Sequence, residues 1–455
     1  MILPAPLLTQ LRTIQGFDEA SFLAAHEQDA VTSVRLHPVK GTNIDIKGTP
    51  IPWCEDGRYL PSRPVFTLDP AYHGGAYYVQ EASSMFLSHV WKNVVDDTNN
   101  LRVLDLCAAP GGKSTLLASL LKPESLLISN EVIRSRASIL EENMVRWGYS
   151  NTWVTCNDPR DFTKLDGYFD VIVIDAPCSG SGLFRKDIKA LQNWTQDNVA
   201  LCRGRQERIL ADVWTSLKEG GIIIYATCSF SQEEDEQVLD WVADEFDART
   251  ISVPVSDNWG IVETASPRKG MKGYRFFPGK INGEGFFIAA FQKQDAANTL
   301  KSPRVKAPDM TKVAQQTAPL LAPKDWQYIE WSKDMFSAIC APHLSDWQLL
   351  QKALYFRKAG LNIGSPAAKE WLPDHAIALS IDANSAIPAI HVNKDQALQF
   401  LKREDFGTPE NEKGWRMVKF NNLGLGWVKC LGNRSNNYLP KHWRIRMEIP
   451  DEEVL

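Results

Sequence analysis

Between residues 101 and 227 short apolar runs alternate with helical patterns, and that alternation constrains the fold more than any other feature of the chain. The runs are LRVLDLC (101–107), LLISNE (126–131), TWVTCND (152–158), FDVIVI (169–174) and GIIIYA (221–226). Helical patterns fall between them over 113–121, over 134–147 closed by Gly148, and over 196–218 closed by Gly220 and Gly221. Continuous apolar runs predict strands buried on both faces, and strands alternating with helices predict a parallel sheet with helices on both sides. GYRFFP (273–278) and GFFIAAF (285–291), around Asn282-Gly283, predict a hairpin that completes the sheet. Ligands of such open sheets bind just past the carboxyl ends of the strands.

Those strand ends carry the reactive groups. Asp175-Ala-Pro-Cys178-Ser179-Gly180 follows FDVIVI, and Thr227-Cys228-Ser229 follows GIIIYA, so both thiols are aimed at one crevice beside a carboxylate. An isolated cysteine is usually a small buried hydrophobe. A pair of cysteines past strand ends beside an acidic residue points to covalent thiolate chemistry instead. The eight cysteines (54, 107, 156, 178, 202, 228, 340 and 430) include no C-x-x-C pair, so neither a zinc site nor a disulfide framework is expected, and no metal.

The first strand leads into Cys107-Ala108-Ala109-Pro110-Gly111-Gly112-Lys113, a tight glycine turn opening a helix whose free N–H groups suit a carboxylate or phosphate. Glu131 ends the second strand, where an acid can bind two ribose hydroxyls, and Asp158 ends the third, where it can accept from an adenine amino group. Each alone is weak, since an Asp at a strand end is often a turn cap. Gly112-Lys113-Ser114 also resembles the end of a phosphate-binding P-loop, but that pattern needs glycine where Cys107 stands. G-x-G-x-x-G is absent as well.

Outside this region, residues 1–75 mix a helical pattern (17–27) with a strand-like one (30–37) and read as a small α+β unit. A catalytic unit over 76–293 is followed by a linker over 294–325, with prolines at 303, 308, 319 and 323. Residues 326–385 read as a connecting unit that opens with a helix over 326–339, and 386–455 as a basic, Trp-rich end. From Ala386 to Arg446 there are eleven Lys and Arg against five Asp and Glu, before an acidic tail (Glu448, Asp451, Glu452, Glu453). A basic end on a chain of net charge −5 is a footprint for a polyanion, or simply a mixed solvated surface. No run approaches a membrane span, and the N-terminus lacks a basic segment followed by an apolar core, so a cytoplasmic protein is expected.

LDLCAAPGGK, Asn130-Glu131 with Arg136, DAPCSGSG and ATCSFS, in this order, resemble the RNA cytosine-5 methyltransferases over roughly residues 1–293. The segment 77–85 and the C-terminal extension are most similar to a bacterial subgroup acting on 16S ribosomal RNA, in which the extension is a PUA-like RNA-binding module. The resemblance implies an α/β, Rossmann-like, S-adenosylmethionine-dependent methyltransferase domain with an N-terminal α+β extension and a C-terminal PUA-like β-rich domain. It implies that Cys107 to Lys113, Glu131, Asp158 and Asp175 hold S-adenosylmethionine.

The chemistry agrees with two thiols. Carbon 5 of cytosine is a poor nucleophile until a thiolate adds to carbon 6, and the adduct must afterwards lose a proton and expel the thiol. In the resembling RNA enzymes the attacking thiol is that of T-C-S, here Cys228, while the A-P-C thiol, here Cys178, assists release and Asp175 holds the ring. DNA cytosine-5 methyltransferases attack from Pro-Cys, so DAPC alone would mislead. The implied partner is 16S rRNA, at a cytosine of the decoding region, in the 30S subunit or its precursor. DNA and membrane are not expected, and the chain is expected to be a monomer. Expected RNA contacts are Lys186, after Phe184 near the base pocket, and Lys429, Arg434, Lys441, Arg444 and Arg446, interleaved with Trp427, Tyr438 and Trp443 as stacking surfaces. A DNA methyltransferase and a catalytically silent ribosome-assembly factor are the rival functions, the latter opposed by the intact thiols, Asp175 and loop.

Overall fold

A computed structural model describes residues 1–42, 44–298, 300, 307–367, 370–408 and 411–448. Pro303 of the expected linker, and Asp451, Glu452 and Glu453 of the acidic tail, lie outside the described residues. Near the N-terminus Asp18 caps helix Glu19–His26 by accepting from the Ser21 N–H. Strands β1 (Ser33–Leu36), β2 (Thr49–Ile51), β3 (Cys54–Tyr59) and β4 (Tyr77–Val79) then make an antiparallel sheet in the order β2-β3-β1-β4.

The apolar runs become a parallel sheet of β5 (Arg102–Asp105), β6 (Leu126–Asn130), β7 (Thr152–Thr155), β8 (Phe169–Asp175) and β9 (Leu217–Thr227), in the order β7-β6-β5-β8-β9. The chain starts at β5, winds out through β6 and β7, and returns to β8 on the other side. The β5/β8 boundary is therefore the topological switch point, with its crevice at the carboxyl ends. Alternate residues feed two cores: Leu104, Ile128, Ile172 and Ile223 on one face, Val103, Leu127, Val171 and Ile224 on the other. β10 (Ala248–Ile251), β11 (Val262–Ala265), β12 (Lys272–Phe276) and β13 (Phe286–Lys293) continue the sheet antiparallel, with Phe276 opposite Phe286 in the expected hairpin.

Helix Arg134–Trp147 ends at Gly148, whose φ of +87° lets its N–H reach Met144 O. A side chain there would also meet Leu379 O, 2.3 Å from an ideal Cβ. The long helix stops at Trp214 rather than 218, because Leu217 and Lys218 already belong to β9, with Leu217 opposite Phe169.

The helix expected over 326–339 is a hairpin instead, β14 (Trp326–Ser332) against β15 (Met335–Cys340), turning at Asp334 with φ of +58°. Trp326, Ile329, Phe336 and Ile339 fit a helical face, but aromatic and β-branched residues also fit a pleated one, and pairing with the rest of the unit decides. β16 (Phe356–Lys358) leaves that unit and adds antiparallel to β7, entering the catalytic sheet. β17 (Leu361–Ala367) and β18 (Glu370–Pro373) complete the four-stranded sheet begun by β14 and β15. The expected linker contains a helix, Thr311–Thr317, and buried Leu321 packs with Ile363 and Trp371. The C-terminal unit is β19 (Ala389–His391), β20 (Lys413–Phe420), β21 (Leu423–Leu431) and β22 (Ser435–Asn437) with helix Lys394–Lys402, closed by an Asn393/Gln396 capping box.

Three units meet at Arg146, whose guanidinium lies over Tyr72 (5.1 Å) and Trp443 (5.0 Å). Leu423 packs with Val34, Ala71, Ala76 and Tyr77, so the C-terminal unit sits directly on the N-terminal one. Three histidines in and around this junction are kept neutral. Burial lowers His37 to about 2, His73 to about 4 and His375 to about 3. His37 Nδ1 accepts from Val39 and Lys40 N–H, so it donates from Nε2 to Trp147 O, and a second proton would break this arrangement. Since folding depresses these pKa values, their stabilisation is complete above the unfolded value near 6.5 and is lost as pH falls toward the folded values. Each adds to the fall of stability with pH across that window. Urea midpoints measured from pH 7 to 4.5 should fall steeply, and less steeply in His37→Gln; a flat profile would mean the histidines are charged in the fold.

Candidate active site

β8 and β9 are parallel neighbours, with Asp175 opposite Ala226, so their carboxyl ends deliver Asp175, Cys178 and Cys228 side by side. The Cys178 and Cys228 sulfurs are 2.9 Å apart and share a hydrogen bond as free thiols. Gly182 seals their loops together: its N–H donates to Cys228 O, and an ideal Cβ would lie 2.4 Å from Gly285 O. Across the cavity Lys113 Nζ lies 2.8 Å from Asp175 Oδ2 and over the Phe286 ring.

Charges act differently on the two thiols. The hydrogen bond with Cys228 and then burial push the Cys178 thiol well above its usual range, and the Glu234 carboxylate adds to this. Burial opposes the Lys113 ammonium, but Asp175, Cys228 and Asp105 more than offset it and raise its pKa. A cation is thus electrostatically linked to Cys228 and an anion to Cys178. Burial also pushes Asp105 up to about 7, although Ser114 Oγ donates to it at 2.6 Å, and pushes up the Cys107 thiol.

The turn from Cys107 to Lys113 is pinned from outside. Arg136 donates to Ala109 O (2.8 Å) and Asn143 to Pro110 O (2.7 Å); the Ala109–Pro110 bond is cis, and Gly111 has φ of +115°. Helix Gly112–Leu120 begins without a side-chain cap, which leaves its first N–H groups to a ligand. Two hollows meet at this turn. One, of about 410 Å³, contains Cys228, Asp175, Lys113 and the turn; the other, of about 400 Å³, contains Glu131, Asp158, Ile133 and Arg208. Cys107 and Arg136 line both. Glu131 is buried, accepting from Ile133 N–H (2.9 Å) and pairing with Arg136 (3.2 Å). Asp158 caps a short turn through Arg160 N–H and faces Arg208 at 3.6 Å. Its described side-chain contacts all use Oδ1, and the residue lines the same hollow as Glu131.

The cofactor and thiol residues expected from the sequence are therefore brought to one crevice, whereas the expected RNA contacts are scattered. Lys186 is exposed on the loop after Cys178. Phe184, 1 % exposed, packs in a core with Phe22 and Phe230, so it is not a base platform. Trp427 is likewise core, 1 % exposed with its N–H donated to Asp374 O, rather than a stacking surface. Lys429 is paired with Glu370 over the Trp415 ring. Arg434, Lys441, Arg444 and Arg446 are exposed and without an ion pair among the described residues, Arg434 in a polar hollow beside Asn433 and Asn436.

Sequence reasoning missed the layer beneath the thiols. Glu234 joins the two cysteine loops, while Arg275 pairs with Asp235 (2.9 Å) and Glu236 (2.5 Å) in full burial. The signal was the run Glu233-Glu234-Asp235-Glu236, which reads as the acidic first turn of a helix. Opposite the thiols, buried Arg35 fixes Gln80 (2.8 Å) and Thr115 (2.7 Å), tying the N-terminal sheet to the cavity wall.

Comparison with known proteins matches this arrangement. The family described as "16S rRNA methyltransferase RsmB/F" matches residues 92–292, the "N-terminal domain of 16S rRNA methyltransferase RsmF" residues 3–82, and the "Methyltransferase RsmF PUA domain" residues 387–445. Among curated relatives, a ribosomal RNA small subunit methyltransferase F of Pectobacterium atrosepticum is 28% identical over 96% of this chain and 95% of its own. That of Vibrio campbellii is 29% identical over 96% and 97%. Among solved structures, a methyltransferase homolog protein from Pyrococcus horikoshii superposes with a TM-score of 0.51 and 26% identity, over 64% of this chain and 100% of its own. The central sheet, its flanking units and these matches agree: the chain is similar along its length to 16S rRNA methyltransferases of the RsmB/F kind and is a methyltransferase with S-adenosylmethionine as its methyl donor.

Proposed function

We propose that the chain transfers a methyl group to carbon 5 of a cytosine in 16S rRNA through a covalent adduct between Cys228 and carbon 6, with Cys178 assisting release. The observation that carries this reading is the thiol pair, 2.9 Å apart at the ends of adjoining strands and facing the Lys113–Asp175 pair. The other residues suit the methyl donor. The uncapped helix at Gly112 offers N–H groups to an amino-acid carboxylate, Glu131 suits the ribose hydroxyls, and Asp158 Oδ2 suits an adenine amino group. When bound, S-adenosylmethionine supplies an electrophilic methyl on a sulfonium.

The protein's own groups do the rest. Cys228 thiolate adds to carbon 6, which places the displaced electron pair on the ring and makes carbon 5 enamine-like. Asp175, held by Lys113, accepts from the amino edge of the ring and so orients the base for attack. After methyl transfer the proton on carbon 5 passes to a base, and the pair of electrons it leaves expels Cys228 from carbon 6. Cys178, in hydrogen-bond reach of the Cys228 sulfur, is placed for that half of the cycle. A target base must be unstacked to enter the hollow. The substrate is read as a decoding-region cytosine in the 30S subunit or its precursor, the partner as RNA rather than DNA, and the protein as cytoplasmic and monomeric.

Incubation with methyl-tritiated S-adenosylmethionine and small subunits lacking the modification, followed by nucleoside analysis, tests the assignment. The expected product is 5-methylcytidine, with no label entering duplex DNA. Label in another nucleoside would overturn the carbon-5 reading, and no transfer to any RNA would favour a silent assembly factor.

A further inference from the structure

Glu234 is fully buried, and its carboxylate accepts four hydrogen bonds. Oε1 takes Ser179 N–H (2.7 Å) and Gln206 Nε2 (3.2 Å); Oε2 takes Ser179 Oγ (2.5 Å) and Ser229 Oγ (2.6 Å). Ser179 follows Cys178 and Ser229 follows Cys228, so one carboxylate grips the residue after each thiol. Its own backbone carbonyl accepts from Tyr225 OH (2.7 Å), which anchors it to β9. All four donors are neutral. Neighbouring Asp235 and Glu236 are paired with Arg275, whereas Glu234 makes no ion pair among the described residues. Its charge is therefore left uncompensated beside Cys178.

We infer that Glu234 is a positioning residue, which locks the two cysteine loops together and keeps the proton shared by the thiols on Cys178, leaving Cys228 as the thiolate. The inference rests on the reading of Cys228 as nucleophile. Two sulfurs 2.9 Å apart titrate as a pair, so the first proton lost belongs to both, and surrounding charge decides where the remaining one sits. Glu234 acts from the Cys178 side, and Lys113 is coupled to Cys228 from the cavity side. The other titratable groups around the pair are Asp175 and Asp105 behind Lys113, Cys202 and Glu207 on helix Gln196–Trp214, Tyr225 on β9, and Asp235, Glu236 and Arg275 below. Burial outweighs the four donors and raises the Glu234 carboxyl, while the hydrogen bonds that set the loops act against burial and favour the charged form.

The test reads each thiol separately. Brief alkylation of the full chain with iodoacetamide across pH 5–10, quantified on the peptides carrying Cys178 and Cys228, gives one midpoint for each. In Glu234→Gln, which keeps the volume and loses the charge, the Cys228 midpoint should rise and the Cys178 midpoint fall, each by about one pH unit. Adduct formation at neutral pH should slow about tenfold. Glu234→Asp, which keeps the charge, should restore the ordering of the two midpoints. If Glu234→Gln does not fold, Glu234→Asp carries the test alone: its shorter side chain draws the charge back from Cys178, so the two midpoints should approach each other by less than about one pH unit while keeping their order. Midpoints that stay put, or shift in the same direction, would overturn the inference, because loosened loops alone do not shift the two in opposite directions. Opposed shifts in a protein whose Cys228→Ala variant still turns over would keep the role of Glu234 and reject Cys228 as nucleophile.

Discussion

Cys228→Ala is expected to abolish methyl transfer and to trap no covalent RNA complex. In the proposed cycle nothing but this sulfur raises the electron density of carbon 5, and the remaining groups only bind and orient. Loss of a nucleophile that acts as part of a unit lowers the rate by roughly 10⁴-fold or more. The fold should survive, because the described contact of this sulfur is with Cys178. Single-turnover transfer from tritiated S-adenosylmethionine measures the loss, and a denaturing gel with labelled RNA measures the adduct. If Cys228→Ala keeps turnover while Cys178→Ala loses the adduct, the two roles are exchanged.

Cys178→Ala should have the opposite signature, a protein–RNA complex that survives denaturant and accumulates toward one per active site. In the proposed cycle, attack by Cys228 uses the Lys113–Asp175 side of the cavity, which this substitution leaves intact. Breakdown needs a partner for the departing thiol, and Cys178 is within 2.9 Å of it. Multiple-turnover methylation should fall by about 10²–10³-fold while the first methyl transfer stays near the parent rate. Absence of a stable complex, with slow transfer in the first turnover, would move Cys178 to the attack step.

The catalytic sheet was legible because its strands and helices are long and periodic, and because parallel connections bring successive strand ends to one side. That alone placed Cys107, Glu131, Asp175, Cys178 and Cys228 together. Beyond residue 293 the elements are short, and short apolar runs do not declare their period. Trp326 to Ile339 fits a helix and a hairpin equally well in sequence, and only pairing of β15 with β17 separates them. Phe184 and Trp427 misled for a related reason: an aromatic beside basic residues looks the same whether it faces solvent or a core. Glu234 was hidden by distance, since three of its four hydrogen bonds come from residues 28 or 55 positions away.

The strand β16 gives the gene a schedule. Until Phe356–Lys358 pairs with Thr155 and Val154, β7 exposes a row of unpaired N–H and C=O groups along one edge of the catalytic sheet. Roughly 200 residues separate the two strands, about 10–40 s of translation at ~5–20 residues per second. During that interval the nascent chain carries a template for pairing with other strands, and a product terminated before residue 356 carries it permanently. Completion of the C-terminal half is therefore the event that makes the catalytic half safe to release from the ribosome.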